Sequence, residues 1–151
     1  MAGCGGTAPQ THTSSTASTS SAAVIPPPRG VRHVGGGELG TQTSLGGVPV
    51  PFSHDYFHVT NLWGARRRGI YIEVYAGAPA AHPRRGGLIV NWTNPKVGLP
   101  ERKSGLYLAP VSVGPLMLVD VRGNRIVFVF VGGRGTFDLA SRKFAISATR
   151  S

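Results

Sequence analysis

His54, Asp55 and His58, in the stretch HDYFH, form the densest cluster of acid/base or ligand-type groups in the chain. Their spacing puts both imidazoles on one face of a helix, or on one face of a strand. A metal centre takes three or four ligands, and the spacing offers no further partner, so no metal is expected. A hydrolase using His54, Asp55 or His58 is one reading of the cluster; a polar loop entering the first strand is the favoured one. No serine sits in a G-x-S-x-G turn, and neither Ser104 nor Ser112 lies in a nucleophile context. Only six acids are spread along the chain, the first Glu38 and the last Asp138, too sparse to predict paired carboxylates. The glycine-rich GGRG at 132–135 lacks the helix and lysine of a phosphate-binding loop. The chain therefore reads as a non-enzyme without a cofactor.

The remaining chemistry is cationic. Lys and Arg number 16 against 6 Asp and Glu, a formal net charge of +10. From residue 46 onward there are 14 basic and 5 acidic residues, so the charge belongs to the body of the chain. It clusters at Arg66-Arg67-Arg68, Arg84-Arg85 and Arg102-Lys103, each in a predicted loop. These seven are the candidate polyanion-binding residues. Such a surface attracts phosphate-bearing partners and is screened by salt. Nucleic-acid readers add aromatic stacking platforms, for which Tyr71, Tyr75, Trp63 and Trp92 are available. The favoured account is plainer: the tyrosines cover a second core layer and the arginines keep the protein soluble.

Strands must position these residues. From about Val48, short apolar runs alternate with Gly, Pro, Asn and Asp clusters, the pattern of an all-β domain. A first strand is predicted over Phe57–Trp63. In IYIEVYAG (70–77), Ile70, Ile72 and Val74 face one way, and Tyr71, Glu73 and Tyr75 the other. GLIVNWT (87–93) follows, then GLYLAPVSV, whose Pro110 marks an edge or bulge. Gly123-Asn124 suits a tight hairpin between two apolar runs. The run IVFVFV is apolar on both faces, as a centrally covered strand would be. Thr136–Leu139 and Lys143–Ile146 complete a meander of four, with a turn or short helix near Ser141. The expected fold is a small antiparallel β-sandwich or partly closed β-barrel. Its core is predicted from Ile70, Ile72, Val74, Leu88, Val90, Leu116, Leu118, Ile126, Phe128, Phe130, Phe137 and Phe144. The region after residue 46 is long enough to bury such a core as one domain. With one cysteine, no internal disulfide can staple it.

Residues 1–45 read differently. Ten of the fifteen residues from Thr7 to Ser21 are Ser or Thr, and Pro26, Pro27 and Pro28 follow. Such a segment buries too little apolar surface to offset backbone ordering, so residues 1–45 are expected to be a mostly disordered tether that reaches the domain surface near Val31–Val34. Ahead of it, Ala2-Gly3-Cys4 resembles the lipobox of bacterial lipoproteins, in which a small-residue pair precedes a cysteine and a polar linker follows. That resemblance implies a diacylglyceryl group on the Cys4 sulfur and an export leader encoded upstream of Met1. Two acyl chains hold a protein stably to a membrane. The last fifty residues, with Tyr107, Pro110, Gly114-Pro115-Leu116, the Gly-Asn hairpin and Phe137-Asp138-Leu139, loosely resemble uncharacterised secreted proteins of high-GC Gram-positive bacteria. That likeness implies no activity.

Together these point to an exported, membrane-tethered, non-catalytic binding or structural module. Its basic surface would meet anionic lipid or a phosphate-bearing cell-wall polymer. The alternative is a cytoplasmic basic β-domain that binds nucleic acid.

Overall fold

A computed structural model of the chain describes residues 30–47 and 49–149. Ten strands account for its regular structure: β1 Arg32–Val34, β2 Gly37–Gly40, β3 Phe57–Arg67, β4 Ile70–Pro79, β5 Gly87–Thr93, β6 Gly105–Leu108, β7 Met117–Arg122, β8 Arg125–Phe130, β9 Gly133–Asp138 and β10 Lys143–Ala148. The first six form one antiparallel sheet in chain order. The last four form a second antiparallel sheet, the expected meander. The two sheets pack as a sandwich and do not close into a barrel.

Register explains the packing. Leu39, Trp63, Val74 and Val90 are successive cross-strand neighbours and all point inward. Leu118, Ile126, Phe128 and Phe137 meet them from the second sheet. Phe128 and Phe130 pair with Gly135 and Gly133. A Cβ at Gly135 would stand 2.6 Å from the Phe128 ring, so the missing side chain makes room for the aromatic. Ten of the twelve predicted core residues are buried; Ile70 and Phe144 are half-buried at its margin.

A second core lies on the outer face of the first sheet. Leu62, Tyr75, Ile89 and Leu106 are cross-strand neighbours there. Leu45, Val50 and Phe52, from the segment between β2 and β3, cover them, and Phe52 meets the Tyr75 ring edge-on at 5.2 Å. Among the described residues, the first sheet is thus covered on both faces and the second on only one.

Two expectations need correction. The tether expected over residues 1–45 overlaps β1 and β2, so its last stretch belongs to the sheet. These strands add to the sheet by backbone pairing, and Leu39 is their one fully buried apolar side chain, too little apolar signal for a pattern-based reading. Residues 1–29, and Cys4 with them, lie outside the described residues. The double-sided cover expected for IVFVFV is also missing among the described residues: Ile126, Phe128 and Phe130 are buried, while Val127 and Val129 are half-buried on an open face. On that face Val127 pairs with Thr136, and Val129 with Met117 and Arg134.

Candidate functional site

The β3–β4, β7–β8 and β9–β10 turns and the β5–β6 loop gather at one end of the sandwich. They enclose a cleft of about 490 Å³. Its floor is Ile70, Ile72, Trp92 and Leu139, and its rim carries Arg67, Arg68 and Lys103. Two of the three basic clusters therefore converge through residues 36 positions apart in the chain.

The rim cations do different work. Arg67 donates to Gly35 O and Gly123 O, both at 2.7 Å, and its guanidinium lies 5.1 Å from the Trp63 ring. It ties the β1–β2 turn to the β7–β8 turn, and so builds the cleft wall. Lys103 sits 5.0 Å from the Trp92 ring and 3.0 Å from the Glu101 carboxylate. Arg68 is exposed and makes no ion pair among the described residues. It occupies the left-handed region at φ 48°, next to Gly69 at 79°, in a two-residue hairpin between paired Arg67 and Ile70. That conformation suits Asn or Gly far better than Arg. Among the described residues the other non-glycine with positive φ is Arg142, at 59°, in the β9–β10 turn whose Leu139 and Ala140 also line the cleft. Both strained side chains are thus arginines at the same end.

Other expected site residues lie elsewhere. Arg66 belongs to β3, beside Tyr71 on the outer face. Arg102 is exposed, adjoining Lys103. Arg84 and Arg85 occupy the opposite end, in a shallow cleft of about 370 Å³ with His82 and Ser112, and Arg85 donates to Ala109 O at 3.2 Å. His54 and His58 stack at 4.5 Å on the surface. Among the described residues no three His, Cys, Asp or Glu come together.

One arrangement escaped the sequence. Glu38 and Glu73 both pair with Gly64, from opposite sides of β3, and so share the outer face. With Tyr71, Leu45 and Leu62 they line a small pocket of about 60 Å³. Burial pushes the Glu73 carboxyl above its ordinary value, partly offset by the Tyr75 hydroxyl. Tyr71 is raised by burial and by the two carboxylates. Tyr75 is raised mainly by burial; its enclosed hydroxyl lies near Glu73 but makes no hydrogen bond of normal geometry. The pairing signal was a glycine flanked in register by two acids, legible only once β2 was known to be a strand.

The tyrosines expected as stacking platforms therefore sit in an acidic corner, Tyr75 fully buried. Trp63 and Trp92 are buried as well. The basic cleft offers no exposed aromatic ring. No known protein family, curated protein or solved structure matches the chain.

Proposed function

We propose that this protein is a non-catalytic binding module that holds phosphate-bearing polyanions at its loop end, tethered to a membrane after export through lipidated Cys4. The observation that carries the reading is the convergence of Arg68 and Lys103 on one cleft, with Arg67 spent on shaping it. Holding Arg68 in a left-handed turn costs stability, and such strain clusters at functional sites. An apolar floor under a cationic rim suits an anionic group with a hydrocarbon or sugar body. The nucleic-acid alternative loses support, because base stacking needs aromatic faces that the cleft does not expose.

The test is binding of inorganic polyphosphate at low salt. Arg68→Ala/Lys103→Ala is expected to weaken binding by about tenfold or more, and affinity to fall steeply with salt. Arg84→Ala/Arg85→Ala removes the same formal charge at the other end and should change little. Equal losses from both pairs would reduce the site to general charge attraction. Attachment is tested separately, by incorporation of a labelled fatty acid that Cys4→Ser abolishes.

A further inference from the structure

Resting on that reading, we infer that the ligand is a linear, base-free polymer with phosphates along its length, which leaves the cleft over the β7–β8 turn and lies along the open face of the second sheet. The cleft reading needs only one anionic group; this inference names the polymer and its path.

The path is continuous. Gly123 and Asn124 line the cleft, and Arg122 and Arg125 on either side of them line a groove of about 380 Å³ on the open face. Val127, Thr136, Ala145, Ser147 and Arg134 complete that groove. Small side chains on β9 and β10 keep it open, and no aromatic borders it.

Its charge is arranged for anions. Arg122 and Arg125 stand directly opposite each other across the hairpin, where like charges oppose strand pairing. Asp120 engages Arg122 at 2.7 Å, leaving Arg125 without an ion pair among the described residues. Asp138 pairs in register with Arg125 and Lys143, but its carboxylate accepts from Ala140 N and Ser141 N. Arg134 also makes no ion pair among the described residues. It pairs with Val129, four residues along β8 from Arg125, so the two backbone positions lie about 13 Å apart along the sheet. Both side chains line the one groove, where phosphates spaced along a chain can meet them in turn.

The geometry also chooses between sources of phosphate. The cleft opens at the strand ends and the groove lies on the side of the sheet. A flat bilayer can press against one of these surfaces but not both, whereas a flexible chain can turn the corner. Without exposed aromatics, the track offers nothing to bases.

The experiment measures affinity for tripolyphosphate and for a polyphosphate of about fifty units, with phosphatidylglycerol vesicles and a single-stranded oligonucleotide as competitors. Engagement of a second stretch should make the long chain bind at least about tenfold more tightly than tripolyphosphate. Arg125→Ala/Arg134→Ala should erase that gain while leaving tripolyphosphate affinity within about twofold, because the cleft is intact. Arg84→Ala/Arg85→Ala should retain the gain. The inference falls if the Arg125/Arg134 pair leaves long-chain affinity unchanged, if the Arg84/Arg85 pair also erases the gain, or if vesicles or oligonucleotide compete better than long polyphosphate. If neither phosphate probe binds, or if Arg68→Ala/Lys103→Ala has no effect, the cleft reading itself fails. Matching thermal melts of all variants ensure that folded proteins are compared.

Discussion

Arg68 shows how one residue can be set against its own backbone. The β3–β4 hairpin would close more easily with Asn at that position, since the turn demands positive φ at both central residues. Arg68→Asn is expected to raise stability by about 0.5–1 kcal/mol while weakening polyphosphate binding. Denaturant titration and binding on the same variant check the pair of effects; a stabilised variant with full affinity would mean that the arginine serves no ligand. Glu73 makes an opposite case, a charge kept where burial disfavours it. Its raised pKa means that the folded state holds the proton more firmly than the unfolded chain. Its contribution to stability is therefore complete below the unfolded value and is lost as pH rises through the folded one. Glu73→Gln removes that loss. The variant should melt higher than the parent near pH 7, and the difference should close below about pH 4. A difference that persisted unchanged into acid would show that Glu73 acts through packing and not through its charge.

At the scale of elements, a buried amide adds a polar link to the apolar packing of the two sheets. Asn61 is fully buried, next to an irregularity in β3, and faces a matching irregularity in β7. Its Nδ2 donates to Leu118 O and its Oδ1 accepts from Leu118 N, both at 2.8 Å, as a strand partner would. Arg32 donates to the neighbouring Val119 O at 3.2 Å, so side chains blunt the free edge of β7. Asn61→Ala leaves two buried backbone groups unpaired and is expected to cost about 3 kcal/mol in urea unfolding. A loss under about 1 kcal/mol would mean that the sheets dock without the amide. None of this was legible in the sequence, because one asparagine in an apolar run looks like a break in a pattern. The long alternating runs were legible: β4, β5 and the meander β7 to β10 follow period-two patterns closed by Gly and Asn turns. The β1–β2 hairpin was written more faintly, as Gly35-Gly36, with φ of 58° and 76°, between short extended stretches with few apolar residues. Of the site, the basic clusters could be read, but their grouping could not. Distance along the chain says nothing about which turns share an end, and this sorted Lys103 with Arg68 and left Arg84 and Arg85 apart.

The whole molecule carries a net +10, yet only two ion pairs form among the described residues. Like-charge repulsion opposes the compact state, and the turns bearing Arg68, Lys103 and Arg142 come together at the loop end. Salt screens both the repulsion inside the free protein and its attraction to a polyanion, with opposite effects on stability. The free protein should melt higher as salt rises. Bound polyphosphate should also raise the melting temperature at low salt, by mass action on the folded state. Salt weakens that binding, so the increment should shrink as salt rises. Melting curves with and without polyphosphate are therefore expected to converge toward one value at about 0.5 M salt, where screening acts within a few ångströms. If the free protein melted lower with added salt, attraction would dominate its charge distribution. A loop end built from mutually repelling cations, the physical basis for a polyanion site, would then be the wrong description of this fold.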